Sequence, residues 1–213
     1  VVTSVKHING QMTVETSDGN EYDAKTVIVT VPLSTLDKIN FSPELSGRKQ
    51  AFMKEKQVSR RVKVWATIKG EHEPFITYAP AGYPLQSIHY ETQVNGDTIV
   101  VGFGADANRM DVTDREQVEE AIKRWLPDVE VLEVTGHDWS NDEFSLETWP
   151  MLKPNQLTSY IEEMQRPENG IYLAGTTYAN GWAGFIDGAI ESGIRNARKV
   201  HHDLKMRENI IQV

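Results

Sequence analysis

The sequence predicts an α+β chain built on mixed or antiparallel sheet with helices on one side. Three observations predict it. Two hairpin signals, Asn9-Gly10 and Asp18-Gly19, separate alternating β-rich segments near the start. A series of short alternating segments between Val62 and Phe103 is punctuated by Pro80, Gly82, Pro84 and Asn95-Gly96. From about Ala183 to Met206 apolar residues recur at intervals of three and four, the period of one helix face.

The elements follow in order. Val1 to Ile8, Gln11 to Thr16 and Glu21 to Val31 read as a three-stranded meander. Its last strand ends in the run Val27-Ile28-Val29-Thr30-Val31, apolar enough to be buried on both faces as in a parallel sheet, and Pro32 stops it. Ser42-Pro43-Glu44 reads as a helix start, with Ser42 as N-cap and Pro43 at the first helical position. Val62 to Lys69, Phe75 to Tyr78, Gln86 to Tyr90 and Asp97 to Phe103 read as strands of an antiparallel sheet. Thr113-Asp114-Arg115-Glu116 fits a capping box opening a helix to Trp125, with Val118, Ala121, Ile122 and Trp125 on one stripe. Glu130 to Asp138 is a further strand, and a short helix is expected near Gln156 to Tyr160. Ile171 to Gly175 is a short buried strand, Thr176 to Gly184 a loop, and Ala183 to Met206 a long helix.

Charge narrows the function classes. The net charge is −9, whereas a phosphate-backbone binder needs a basic stripe and an anionic membrane attracts basic segments; neither nucleic acid nor membrane is expected as a partner. No apolar run approaches the ~18 residues of a membrane span. Cysteine is absent, so disulfides, thiolate nucleophiles and cysteinyl cofactor bonds are excluded. That composition suits a reducing compartment, and a cytoplasmic location is expected. The six histidines show no metal-ligand spacing, and no metal is expected. His201-His202 reads as solvated. Asp138, Asp142, Glu143 and Glu147 read as a solvated face rather than an acid/base pair.

The chemistry concentrates in the stretch from Tyr172 to Gly193, Tyr-Leu-Ala-Gly-Thr-Thr-Tyr-Ala-Asn-Gly-Trp-Ala-Gly-Phe-Ile-Asp-Gly-Ala-Ile-Glu-Ser-Gly. A buried strand ends in glycine, crosses a small-residue loop and enters a glycine-rich helix. The free N–H groups and dipole of such a helix start favour negative charge. Gly184 and Gly188 share a face, so a second group can approach the backbone closely. Taken by themselves these glycines point to helix–sheet packing rather than to a ligand.

The full string resembles the C-terminal flavin-binding segment of the monoamine oxidase, polyamine oxidase and L-amino acid oxidase superfamily. One departure is that the family's Glu after Gly-Thr is Thr177 here. Val27 to Pro32 and Ile39-Asn40-Phe41-Ser42-Pro43-Glu44-Leu45 resemble a second family segment, and Val62-Lys63-Val64 a third. The resemblance covers nearly the whole chain, yet family members are about twice as long, and the strand–GxGxxG–helix that opens their dinucleotide fold does not occur here. The chain also starts directly in a β-rich pattern without an initiator Met or signal-peptide organisation, as expected of the middle of a fold.

The resemblance implies two parts. Residues 1–35 and 168–213 form a remnant of a glutathione reductase-like FAD-binding domain with a long C-terminal helix, and residues 36–167 a substrate-binding domain. It assigns Val2, Gly175, Thr176, Thr177, Trp182, Phe185 and Ile186 to the FAD. Lys63 falls where the family holds a water against flavin N5; its alternative is a solvent-facing lysine. Thr148 stands where monoamine oxidases carry the cysteine bonded to the flavin, so non-covalent FAD is implied. Trp149 and Phe185 fall on the substrate cage, and aromatic faces there exclude water and tolerate a cation; their alternative is core packing. The implied activity is amine oxidation in the full-length protein, with the missing N-terminal half of the flavin domain as partner and an inactive fragment. A flavin desaturase or protoporphyrinogen oxidase-like enzyme, or a non-catalytic binding module, are the other implied outcomes.

Overall fold

The computed structural model of the chain describes residues 1–211, with side chains through Arg207. It divides into two compact units. Unit 1 comprises Val1–Val58, Glu143–Ser145 and Pro150–Val213, of which residues 212 and 213 lie outside the described residues; unit 2 comprises Ser59–Asp142 and Leu146–Trp149. The division differs from the expected one at 35/36 and 167/168. Residues 36–58 and 150–167 join unit 1 because their helices share its core. Phe52, Met53, Ile161 and Met164 pack with Val5, Met12, Leu33 and Leu173.

In unit 1, β1 (Val2–Ile8), β2 (Gln11–Thr16) and β3 (Glu21–Ala24) form the expected meander. Asn9 and Gly10 both have positive φ, as the first turn requires. The third strand is shorter than expected. It breaks at Lys25-Thr26, and β4 (Val27–Val29) leaves the meander to pair in parallel with β11 (Ile171–Leu173). The parallel pairing fits the apolar run, but burial on both faces does not hold. Val29 is buried while Ile28 is exposed, because this sheet has two strands.

The short helix α1 (Leu33–Leu36) follows Pro32, and β5 (Asn40–Ser42) adds to β1 in parallel. Ser42 therefore ends a strand and does not cap a helix. Pro43 follows it across a cis peptide bond. The helix α2 (Gly47–Glu55) starts four residues later, after Ser46. Ser46 Oγ donates to Glu163 Oε1 at 2.8 Å, and its N–H donates to Glu168 Oε2 at 3.1 Å. Lys49 is buried on α2, its ammonium held by Glu168 at 2.9 Å and by the Arg166 carbonyl at 2.8 Å. A buried cation requires such partners. Helix α4 (Gln156–Gln165) runs longer than expected and packs on α2, with Phe52 and Tyr160 stacked at 5.0 Å.

The last helix is α5 (Ile186–Ile211). Its apolar stripe, including Ile186, Ile190 and Ile194, is exposed. The face that packs inward is small and polar: Gly188, Ser192 and Asn196. The reason lies in what it meets. Asn196 donates to the Leu173 carbonyl, and Ser192 Oγ accepts from the Gly175 N–H at 3.1 Å. Backbone groups at the end of β11 need polar partners, and only a polar helix face supplies them.

Tyr172 and Asp203 join β11 to the far end of α5 at 2.8 Å. Burial, reinforced by that hydrogen bond, pushes the Tyr172 phenol up to about 12 from 10.0. A raised folded pKa means a stabilisation present below pH 10 and lost as pH rises toward 12, worth about 2 to 3 kcal/mol. Tyr160 is also raised, by its hydrogen bond to Glu55, so spectroscopic titration of tyrosinate should show a phase near pH 12 that Tyr172→Phe removes. A phase near pH 12 surviving in the variant would refute the assignment.

Unit 2 contains the strands β6 (Val62–Ile68), β7 (Ile76–Tyr78), β8 (Ser87–Val94), β9 (Asp97–Gly104) and β10 (Val131–Gly136). They form an antiparallel sheet in the order β10-β6-β9-β8-β7. Helix α3 (Arg115–Lys123) covers one face, where Val118, Ala121 and Ile122 meet Val62, Val64, Ala66, Ile68 and Val100. The cap differs from the capping box by one residue. Asp114 accepts from the N–H groups of Glu116 and Gln117, while Thr113 bonds Asp111. The carboxylate of Asp114 accepts from both free donors at the helix start. Among the described residues no helix is long and apolar enough to cross a membrane.

Candidate functional site

Strand β6 alternates. Val62, Val64, Ala66 and Ile68 are buried against α3, so Lys63 and Trp65 point to the opposite face. Lys63 is exposed, as both of its sequence readings require. Its ammonium lies 4.7 Å from the Trp65 ring centroid and 5.8 Å from that of Phe103. Phe103 stands directly opposite Lys63 across β6 and β9, and Ser87 stands opposite Phe103 across β9 and β8. Register therefore collects one cation, two aromatic rings and a hydroxyl on one face.

This face opens into a cavity of about 450 Å³. Arg61, Lys63, Gln86, Ser87, Phe103 and Gly104 line one part of it, and Trp139, Thr148 and Trp149 the rest. Trp149 is half exposed, which excludes the core-aromatic alternative for it within unit 2. The Thr148 hydroxyl fixes the approach of its segment. It accepts from the Arg61 N–H at 3.0 Å and lies 2.9 Å from Ser59 Oγ. Gly104 has no room for a side chain, since a Cβ there would stand 2.2 Å from the Pro84 carbonyl oxygen. Glu147, expected on a solvated face, is buried.

Among the cavity residues, the sequence points to Lys63, Thr148 and Trp149 and not to Phe103, Trp139, Arg61 or Ser87. Arg61 and Trp65 were legible as the same-face neighbours of Lys63, two residues away on either side. Phe103 was not, because its place depends on the register between β6 and β9.

The second group of expected residues belongs to unit 1. Gly175 follows β11 with φ 149°, a conformation that favours glycine, and a Cβ there would meet nothing nearer than Tyr178 at 4.0 Å. Open space thus lies beside the backbone where a side chain would stand. Thr176 Oγ1 accepts from the Gly184 N–H at 2.6 Å and donates to the Phe185 carbonyl at 3.0 Å, closing the loop onto the start of α5. Glu191 on α5 accepts from the Asn180 N–H at 3.0 Å and pairs with Arg195, which also donates to the Tyr178 carbonyl at 2.7 Å. Several bonds therefore fix the loop from within.

Trp182, Phe185 and Ile186 are exposed around the first turn of α5, the two rings edge to face at 5.7 Å. The N–H groups of that turn have no acceptor within the helix. Thr177 is buried, with Tyr178 and Ala179 after it. Gly188 does allow a close approach, but the group that approaches is the chain's own loop. A Cβ at Gly188 would lie 2.3 Å from the Trp182 carbonyl oxygen. Val2, on β1, is half buried and lines a smaller cavity of about 280 Å³ with Val1, Val31, Thr35, Ile39 and Phe144. The members of the expected substrate cage fall in different units, Trp149 in unit 2 and Phe185 in unit 1.

A glycine with open space beside it, a helix start and exposed apolar side chains are the features a flat, electron-accepting ring system requires. The residues present fit a flavin.

The family model described as flavin containing amine oxidoreductase matches residues 1–201, and the chain belongs to that family. It is similar to pseudooxynicotine dehydrogenase of Pseudomonas sp, 37% identical over 195 residues covering 90% of this chain and 39% of that protein. It is similar to nicotine dehydrogenase of Pseudomonas putida (strain DSM 28022 / S16), 37% identical with 93% and 41% covered. Human amine oxidase [flavin-containing] B is 29% identical, with 89% and 40% covered. Among solved structures, wild-type putrescine oxidase bound to putrescine matches in fold, with a TM-score of 0.79, 20% identity, and 94% of this chain and 48% of that one covered. The chain thus spans about two fifths of the length of these curated relatives.

Proposed function

We propose that this chain is the flavin-facing and substrate-facing part of an FAD-dependent oxidase of amines. The observation that carries the reading is the loop from Gly175 to Ile186, held from within by Thr176, Glu191 and Arg195 and carrying exposed apolar side chains at a helix start. When bound, FAD would supply the acceptor for the hydride leaving the C–H next to nitrogen, with the imine then hydrolysed and dioxygen as reoxidant.

The chain's own residues would bind and orient. Gly175 leaves its backbone open to the cofactor, and Thr176 and Thr177 continue that turn. The start of α5 would stabilise negative charge on the ring, beside Trp182, Phe185 and Ile186. Val2 would meet the adenine through its backbone. Thr148 in place of a cysteine supports non-covalent binding. Lys63 would hold a water at flavin N5, and Trp149 and Phe185 would flank the amine and exclude bulk water.

The exposed isoleucine stripe of α5 and the two-stranded parallel sheet β4–β11 support a further part of the reading: the remaining half of the flavin domain covers them. The 213-residue chain alone is then inactive. The location expected from the sequence, the cytoplasm, is retained.

Two measurements test this. FAD titrated into the 213-residue chain should produce little spectral change. The full-length protein should retain flavin on purification and generate peroxide when given amines. A flavin-loaded full-length protein that makes no peroxide with any amine would favour the desaturase reading. A flavin-free one would favour the binding module.

A further inference from the structure

The cavity of unit 2 has an unusual charge balance for an acidic chain. Arg61 and Lys63 both line it, and no carboxylate does among the described residues. The chain as a whole carries 31 acidic against 22 basic residues, so this local excess runs against composition. Neither cation is neutralised. Lys63 lies against the faces of Trp65 and Phe103, and Arg61 takes part in no ion pair among the described residues. The other lining groups are uncharged: aromatic rings, neutral hydrogen-bonding side chains, Val62 and Gly104.

We infer that Arg61 is a specificity-determining residue, and that the substrate is an aromatic amine carrying a carboxylate at the end remote from the nitrogen. This rests on the amine oxidase reading above. The guanidinium fork matches a carboxylate in two parallel hydrogen bonds, a geometry a lysine cannot reproduce. Arg61 and Lys63 are two residues apart on one face of an extended segment, which places their backbones roughly 6–7 Å apart. If the C–H next to nitrogen is oxidised beside Lys63, a carboxylate at Arg61 belongs to the far end of the substrate. An α-amino acid, whose carboxylate is one carbon from its nitrogen, fits that division less well than an aromatic amine with a remote carboxylate. A diamine is disfavoured as well, because its second ammonium would enter a cavity with two cations and no counter-charge.

The test compares benzylamine, p-aminomethylbenzoate and putrescine on the flavin-loaded full-length protein. Affinity is measured by anaerobic calorimetry and turnover by peroxide release. p-Aminomethylbenzoate should bind roughly tenfold to a hundredfold more tightly than benzylamine, and putrescine most weakly. Arg61→Gln should bring the ratio of the two benzyl compounds to about 1, and Arg61→Lys should leave an intermediate ratio. Circular dichroism melts of both variants establish that they are folded. Equal binding of the two compounds by the unmodified protein, binding of neither, or a preference that survives Arg61→Gln overturns the inference. Preferred binding of the carboxylate compound without peroxide release would instead sink the oxidase reading and leave Arg61 as the recognition residue. Peroxide release from benzylamine with no carboxylate preference would do the reverse.

Discussion

Gly188→Ala should destabilise unit 1 by about 3 kcal/mol, whereas Gly193→Ala on the same helix should stabilise it by about 0.5 to 1 kcal/mol. Both changes add one methyl group to α5. At Gly188 that methyl would stand 2.3 Å from the Trp182 carbonyl oxygen and 3.1 Å from the Ala179 Cβ. The first contact is with backbone, so no rotamer change relieves it. The loop itself has to move, against Thr176, Glu191 and Arg195, which hold it at both ends. At Gly193 nothing lies within 4 Å, and alanine only reduces the freedom of the unfolded chain. Urea midpoints of the two variants at unchanged slope measure both effects. Effects of equal sign would mean that the Trp182 loop does not rest on α5. Because the displaced loop carries Trp182 and leads into Phe185, Gly188→Ala in the full-length protein should also weaken flavin retention.

This pair of glycines illustrates how much of the site the sequence reveals. The strand–loop–helix around Gly175 was legible from local chemistry: a short apolar strand, a small-residue loop and helical periodicity. The role of Gly188 was not, since the approaching group is the backbone of Trp182, and a sequence does not say which segment folds back. The same distinction explains α5. Its periodicity correctly marks a helix, but periodicity alone does not identify which face packs within this chain. The polar face turned inward because it meets open carbonyl and N–H groups at the end of β11. Helix starts were legible only to within a few residues. Asp114 outcompeted Thr113 by reaching two free N–H groups, and the Ser42-Pro43 pair ended a strand instead of opening a helix. In unit 2, alternation along β6 identified the face of Lys63 without any structure. The aromatic and hydroxyl partners on that face required the register of three strands.

Lys63→Met in the full-length protein should lower kcat by about a hundredfold while changing KM little, the lower end of what a positioned proton-handling group contributes. Lys63 is on a central strand of the unit 2 sheet, between β10 and β9, with Trp65 and Phe103 against its side chain. A solvent-facing lysine on an edge strand would have neither constraint. Methionine keeps the length of the chain and its ring contacts but removes the ammonium, so a loss of rate isolates the charge and its hydrogen bonds. The stability of unit 2 should change by less than ~0.5 kcal/mol, as for other exposed positions. Lys63→Arg should restore only part of the rate, because a planar fork holds a single water less well than a compact ammonium. Stopped-flow measurement of flavin reduction and reoxidation in each variant locates the affected step. A Lys63→Met protein with normal kcat would return Lys63 to the solvent-facing alternative. The cavity's second cation, Arg61, would then be its sole charged determinant of specificity.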